Sequence, residues 1–187
     1  FCHPGACRSD LSAYDAAAHA SLAGYAQDVL AICDELDPRD VVFVGHSVSA
    51  MIGVIAAVER PGLFASLVLG GPSPRYTDDG GYEGGFTRQD IDELLDSLDS
   101  NFLGWSQVMA PVIMGNADRP ELGAELVESF CGTDPEIARQ FARVTFLSDN
   151  RADLAQIAVP TLVLQCREDV IAPISVGEYV HRDSAGS

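Results

Sequence analysis

The most informative part of this sequence is Val41-Val42-Phe43-Val44-Gly45-His46-Ser47-Val48-Ser49-Ala50-Met51-Ile52-Gly53, an apolar β-branched run that leads straight into a serine with small neighbours. A strand that turns at once into a helix forces the residue at its apex into a strained backbone conformation, which small neighbours tolerate. This geometry lifts the Ser47 hydroxyl clear of the sheet and points the Val48 amide, at a helix N-terminus, toward a developing oxyanion. The segment therefore predicts a nucleophile elbow.

The short motif departs from the usual Gly-x-Ser-x-Gly pattern, because Ser49 stands where the second glycine is expected. The flanking sequence nevertheless supplies the strand–turn–helix frame. Residues 41–44 predict a buried strand, and residues 51–58 continue as an apolar helix that Pro61 ends. In the alternative interpretation, Ser47 only caps the helix that follows a buried strand.

Size and charge limit the function classes. The chain has 187 residues, enough for one domain with a hydrophobic core, and 47% of them are hydrophobic. Acidic residues number 28 against 11 basic ones, all arginine, so the formal net charge is −17. A surface this acidic repels phosphate backbones, and we expect no nucleic-acid partner. We interpret the acidity as a property that favours solubility, or as a trait of the source, in preference to ligand steering.

The sequence signals neither a membrane span nor secretion. No apolar run is long enough to cross a bilayer, and no basic segment precedes an apolar stretch at the N-terminus, so we expect a cytoplasmic protein without a membrane partner. The five cysteines show no metal-ligand spacing, and we expect reduced thiols, no metal site and no cofactor. Cys2, Cys7 and His3 are too few ligands for a zinc site, whereas Cys33 and Cys166 are predicted to be core residues.

Apolar strands alternate with helices along the chain, which predicts an α/β fold with a parallel sheet covered by helices on both faces. An amphipathic helix is predicted over residues 17–36, and further strands over 67–72 and 161–165. Three segments follow from this pattern. Residues 1–72 and 156–187 would form the two parts of the core, and residues 73–155 an all-helical cap over the active-site face.

Four helices are predicted within the cap. Thr87 caps the first, and residues 101–115 form the second. Residues 118–121 open the third, and residues 133–136, Thr-Asp-Pro-Glu, form a capping box that opens the fourth.

A serine nucleophile needs a base to take its proton and an acid to orient that base, in the chain order serine, acid, histidine for this class of fold. Asp169 lies just past the predicted strand 161–165, where the acid belongs. Two alternatives stay open at this point: Glu168 is the acid, or Asp169 is only a solvated loop carboxylate.

The histidines supply no convincing general base. His46 is fixed beside the nucleophile, His3 and His19 precede the serine, and His181 falls inside a predicted helix soon after Asp169. The strands that a serine-hydrolase sheet needs at both ends are also absent from the sequence. We therefore interpret the chain as an internal fragment that lacks the second oxyanion amide and the catalytic histidine.

Motifs spread over nearly the whole length resemble the α/β-hydrolases of the RsbQ type, which are bacterial stress regulators, and their plant relatives, the strigolactone and karrikin receptors. Ser49 is normal in the receptor branch, whereas Cys2 and Cys7 depart from the pattern. The resemblance rests on the elbow together with Leu11-Ser12-Ala13-Tyr14-Asp15, Gly24-Tyr25-Ala26-Gln27-Asp28, Gly71-Pro72-Ser73-Pro74-Arg75-Tyr76, Gly84-Gly85-Phe86, residues 101–105 and Ser148-Asp149.

The resemblance implies that Ser47 is the nucleophile, that Asp169 is the orienting acid, and that the histidine lies beyond Ser187. It also implies a V-shaped cap of four helices over residues 85–148, above an apolar pocket lined by His46, Trp105, Met109, Phe146 and Ile171. From their helical positions alone, Trp105 and Phe146 are equally well explained as ordinary core. Family members hydrolyse small hydrophobic esters or butenolide-type lactones, and several act mainly in signalling.

Two functions follow as hypotheses. The first is a serine hydrolase with an RsbQ-like signalling role, acting on a small hydrophobic ester or lactone. The alternative is a small-molecule-sensing module that binds a signalling protein partner through the cap with little or no turnover. We expect the 187 residues alone to be inactive, because an open sheet with exposed edges is aggregation-prone.

Overall fold

A computed structural model describes residues 3–5 and 9–186 of the chain, so Cys2 and Cys7 lie outside the described residues. Its sheet has three parallel strands in the order β1 (Val41–His46), β2 (Phe64–Gly70) and β3 (Thr161–Leu164). Strands β1 and β3 are rich in β-branched residues, which fit a pleated surface, and β2 is mostly apolar. The α/β fold with a parallel sheet, predicted from the alternation of apolar strands and helices, is confirmed.

The helices and strands occur along the chain in the predicted order. A short 3₁₀ turn occupies Leu11–Ala13. The α-helices of the described chain are α1 (Leu22–Leu36), α2 (Val48–Glu59), α3 (Arg88–Ser100), α4 (Phe102–Met114), α5 (Pro120–Cys131), α6 (Pro135–Phe146), α7 (Arg151–Leu154) and α8 (Ile174–Asp183). None of them is long and apolar enough to cross a membrane.

The main core lies on one face of the sheet. Leu67 and Leu69 of β2 are fully buried there, against Met51 and Ile52 of α2 and the apolar stripe of α1. Among the described residues, helices cover this face, while the side chains of the opposite face are more than half exposed at Val42, Val44, Leu162 and Leu164. The sequence predicts helices on both faces of the sheet. Among the described residues, helices cover one face only.

Helix α1 begins at Leu22, five residues later than the predicted start, so the prediction of a helix from residue 17 is wrong. The cause is a nearby side chain that hydrogen-bonds backbone amides in place of the helix. The Asp15 carboxylate accepts hydrogen bonds from the amides of Ala17 (2.8 Å) and Ala18 (3.3 Å), which holds residues 16–19 in a turn.

The four cap helices α3 to α6 occur where the sequence predicts them. Thr87 and Asp90 form a reciprocal capping box at the start of α3. The predicted box at α6 is wrong in detail. The Asp134 carboxylate caps that helix by accepting hydrogen bonds from the Glu136 and Ile137 amides, whereas the Thr133 hydroxyl donates to a carbonyl of the preceding turn. A second apolar cluster forms beneath these helices.

The two cysteine predictions have opposite outcomes. Cys33 is buried on α1, as the helical periodicity predicts. Cys166 is exposed, because β3 ends at Leu164 and the cysteine lies in the loop beyond the sheet. The prediction that Cys166 is a core residue, made from its position at the end of an apolar run, is therefore wrong.

Candidate active site

Ser47 joins β1 to α2 in a strained conformation. Its backbone angles are φ 55° and ψ −128°, in a region that L-residues rarely adopt without compensation. The compensation comes from both sides: the Ser47 amide donates to the Gly70 carbonyl at 2.8 Å, and the Ser47 carbonyl accepts from Ala50 at 2.9 Å. Ser47 occupies the N-cap position, but its hydroxyl makes no capping hydrogen bond to the described amides of α2. The simple-cap alternative therefore does not explain this serine.

Gly45 lets the helix return directly over the strand. A Cβ atom at this position would lie 2.5 Å from the Ser49 carbonyl oxygen and 2.8 Å from the Ala50 Cα. Real Cβ atoms do not approach backbone so closely, so only glycine permits this spacing between β1 and α2. Val48 directly follows Ser47 and is the first residue of α2. Its amide belongs to the first turn of the helix, where N–H groups lack intrahelical partners and can meet an anion.

Asp169 lies in the loop after β3 and is half-buried, whereas Glu168 is exposed. Its Oδ1 accepts hydrogen bonds from the amides of Ile171 (2.9 Å) and Ala172 (3.0 Å), which fix the carboxylate. Its Oδ2 faces Gly71, where it would lie 3.5 Å from an added Cβ. Gly71 directly follows β2, so the anchored carboxylate stands at the carboxyl edge of the sheet, where the elbow also lies. This arrangement favours Asp169 over Glu168 as the orienting acid.

Tyr76 is a buried aromatic residue between the sheet and the cap that the sequence analysis did not single out. It follows β2 in the connection to the cap and is only 2% exposed. Burial raises the pKa of Tyr76 to about 12, and the charge of Asp169 adds to this rise. The available signal was position: an aromatic residue shortly after the strand that neighbours the elbow.

The structure brings together three of the five predicted pocket residues. Trp105, Phe146 and Ile171 pack against the apolar cluster that contains Tyr76. The Phe146 and Tyr76 rings meet edge to face with centroids 5.0 Å apart. Met109 is half-buried on α4 but is not part of this cluster of described residues, and His46 is exposed.

The four histidines lie in three parts of the described chain. The His46 Nε2 would lie 3.9 Å from a Cβ added at Gly71, so its ring borders the same edge as Asp169. His19 is buried beside α1, with Nε2 2.8 Å from the Asp28 carboxylate, and the His3 ring packs edge to face on Tyr25. His181 is exposed on α8.

Other features of the surface do not compete with the elbow as a catalytic site. A groove of about 560 Å³ lies between the start of α1, α2 and the connection from α6 to α7. Its lining includes none of the residues predicted above for catalysis or for the apolar pocket. We place the candidate site at the elbow because backbone strain, an anchored acid and a helix N-terminus converge there.

Among the described residues, no group of three or more His, Cys, Asp or Glu side chains is arranged to hold a metal ion.

Known proteins resemble this chain over nearly all of its length. Residues 2–185 match the family model described as "Alpha/beta hydrolase family". The chain is 40% identical over 173 residues to a protein named as a probable esterase from Oryza sativa subsp. japonica, covering 92% of this chain and 64% of that protein. It is 37% identical over 186 residues to karrikin insensitive 2 receptor CA from Petunia hybrida, covering 100% of this chain and 69% of the receptor.

A solved structure agrees with the sequence relatives. The fold superposes on a hydrolase from Oleispira antarctica with a TM-score of 0.94 and 38% sequence identity, covering 98% of this chain and 67% of the hydrolase. The chain thus spans about two thirds of the length of the proteins that it resembles.

Proposed function

The chain belongs to the alpha/beta hydrolase family, and from this premise we propose that it carries the nucleophile and the orienting acid of a serine hydrolase that cleaves a small hydrophobic ester or lactone. The proposed nucleophile is Ser47, the proposed orienting acid is Asp169, and the proposed oxyanion donor is the Val48 amide. The histidine base is proposed to lie outside this chain, following the order serine, acid, histidine.

The proposed reaction has two halves. In the first, the Ser47 Oγ bonds to the substrate carbonyl carbon, the bond from that carbon to the alcohol oxygen breaks, and the serine proton passes through the base to the departing alkoxide. In a lactone that alkoxide stays attached to the acyl chain. In the second half, water attacks the acyl-enzyme, releasing the carboxylic acid and restoring the Ser47 hydroxyl. The Val48 amide donates to the oxyanion in both halves.

One observation carries this proposal: the strained conformation of Ser47, whose hydroxyl is not used to cap α2, at the edge of the sheet where Asp169 is anchored. A serine needed only for folding has no reason to retain this strain. The apolar side chains that pack around Tyr76, among them Trp105 and Phe146, are consistent with a hydrophobic substrate, because apolar surroundings favour apolar ligands.

Labelling with a serine-reactive fluorophosphonate tests the proposal in the intact protein. We expect stoichiometric labelling of the parent, and no labelling after Ser47→Ala. Ser49→Ala is the matched control, because it removes a neighbouring hydroxyl from the same turn and should leave labelling intact. An intact, folded parent that resists the reagent would exclude the hydrolase proposal.

A second candidate is a receptor that senses a small molecule and binds a protein partner through its cap. It is favoured by the alignment of the whole chain with a protein named as a karrikin receptor. The Ser47→Ala variant separates the two functions. A sensor that needs only occupancy keeps its affinity for ligand and partner in this variant, whereas a hydrolase loses its function.

The narrower RsbQ-like role in stress signalling rests on the motif resemblance alone, and the cytoplasmic location stays an expectation from the sequence. For the 187 residues by themselves we propose no turnover, because the exposed apolar face of the sheet and the missing base both oppose it. Robust esterase activity of the isolated chain would contradict this part of the proposal.

A further inference from the structure

Gln165 stands where β3 ends and the loop that carries the proposed acid begins; we call residues 166–173 the acid loop. Its half-buried side-chain amide donates to the Ala172 carbonyl at 2.7 Å and, with a longer bond, to the Cys166 carbonyl at 3.4 Å. Carbonyl oxygens only accept, so the nitrogen end of the amide must face them. One side chain thus joins the two ends of the acid loop.

Ala172 links this glutamine to the proposed acid. Its amide donates to the Asp169 Oδ1 at 3.0 Å, and its carbonyl accepts from Gln165. Ala172 is only 2% exposed, and Pro173 after it disfavours the helical region for its backbone. Because the backbone torsions of Ala172 are restricted, a bond that fixes its carbonyl also fixes its amide. The glutamine therefore helps to hold the amide that anchors the carboxylate.

Helix α8 packs directly against the Gln165 side chain. Gly177 is buried in this helix, and a Cβ added there would lie 2.7 Å from the Gln165 Oε1 and 2.8 Å from its Cγ. The glutamine thus fills the space that the glycine leaves, and close packing restricts its rotamers. Gln165 is a donor held in place from two directions, by the helix and by the loop.

We propose that Gln165 is a positioning residue for the orienting acid: its amide closes the acid loop and so holds the Asp169 carboxylate in the direction that the histidine needs. This role rests on the proposed hydrolase function, because Gln165 acts only through Asp169. A carboxylate with a fixed direction orients the base and stabilises the imidazolium that forms when the serine proton is taken. A small misplacement of such a group lowers the rate strongly.

Gln165→Met tests this role in the intact protein, because methionine has a similar length and volume but no hydrogen to donate. We expect kcat for a small ester and the rate of phosphonate labelling to fall by about tenfold, with KM within about twofold of the parent. Gln140→Met is the matched control. Gln140 is also half-buried, and its amide donates to two backbone carbonyls before α1, those of Ala16 (2.6 Å) and His19 (3.1 Å). Its rates should stay within about twofold of the parent.

The pH dependence of labelling separates positioning from packing. Labelling needs the unprotonated base, so in the parent its rate rises with pH through the pKa of the histidine. A carboxylate that is held less well stabilises the imidazolium less, and we expect the rising limb to move to lower pH by about 0.5 in Gln165→Met. The limb should not move in Gln140→Met. A loss of packing alone would lower the rate without moving the limb.

Gly177→Ala is a second variant that displaces the glutamine without altering it. The added methyl group would push on the Gln165 Cγ and Oε1. Alanine favours a helix more than glycine does, so the substitution does not weaken α8 itself. We expect slower labelling and the same movement of the rising limb as in Gln165→Met.

The outcomes distinguish the two proposals. A parent that is not labelled at all overturns the hydrolase function and this role with it. A parent that is labelled normally, together with a folded Gln165→Met protein that keeps its rate or its pH profile, overturns the role alone, as does an equal loss in Gln140→Met. If Gln165→Met does not fold, Gly177→Ala decides by the same criteria. If neither variant folds, the glutamine supports the fold and not the acid, and the role is again overturned.

Discussion

Gly45 offers the sharpest test of the elbow geometry, because a single methyl group is enough to perturb it. In Gly45→Ala the new Cβ would meet the Ser49 carbonyl oxygen at 2.5 Å, and an ordinary contact begins at 3.4 Å. The atoms that it meets belong to the backbone of α2, so no side chain can rotate away. Strand β1 and helix α2 must separate by about 0.9 Å to admit the methyl group.

This displacement predicts two effects of different size. Overpacking of this kind typically costs about 1–3 kcal/mol of folding free energy. The effect on chemistry is larger, because a shift of about 1 Å in a catalytic group lowers the rate by about 100-fold. We therefore expect Gly45→Ala to fold, with a reduced free energy of unfolding, and to react with a phosphonate about 100-fold more slowly.

The assay measures the second-order rate constant of phosphonate labelling and the urea unfolding curve on the same preparations of intact protein. Gly70→Ala is the control. It adds a methyl group at the end of β2, where the nearest atoms would be 3.7 Å away, an ordinary contact. A Gly45→Ala protein with the labelling rate and stability of the parent would refute the proposed link between elbow spacing and reactivity.

Three further predictions concern the acid and the fold. Asp169→Asn should slow esterase turnover by at least about 100-fold, whereas Glu168→Gln should change it less than about threefold; equal effects would contradict the assignment. Hydrogen bonding by Arg151 lowers the pKa of Asp149 from 3.8 to about 2, so this carboxylate stabilises the fold above pH 4 and its contribution disappears as the pH falls toward 2. Because Asp149 is about one-third exposed, the expected contribution is about 1 kcal/mol, and acid titration of Asp149→Asn by circular dichroism should lack it. Thr87→Ala should cost about 1 kcal/mol in urea unfolding through loss of the cap of α3, and an unchanged midpoint would contradict the capping box.

The sequence was most informative where local chemistry determines local structure. The apolar strand before Ser47 and the small residues after it predicted the elbow, and the Thr87 cap predicted the start of α3, because both signals act within a few residues. Where two local signals competed, the prediction failed. The turn held by Asp15 shortened α1, and Asp134 caps α6 in place of its neighbouring threonine.

Contacts between distant segments were harder to predict. The sequence placed Trp105, Phe146 and Ile171 in one pocket only through the family resemblance, since helical periodicity does not say which faces meet. Tyr76 was missed for the same reason: its burial depends on the packing of its ring against Phe146, a contact between residues far apart in the sequence. The exposure of Cys166 likewise depends on where the sheet ends and not on local hydrophobicity.

The most direct test of the central claim is to trap the covalent intermediate. The intact protein is mixed with a chromogenic ester of a small hydrophobic acid, quenched in acid within the first turnover, and digested for peptide mass spectrometry. The mechanism predicts that the acyl mass appears on the peptide containing Ser47 and nowhere else, and that it decays at the rate of product release. Product formation without an acyl group on Ser47, or with the group on another side chain, would contradict the account.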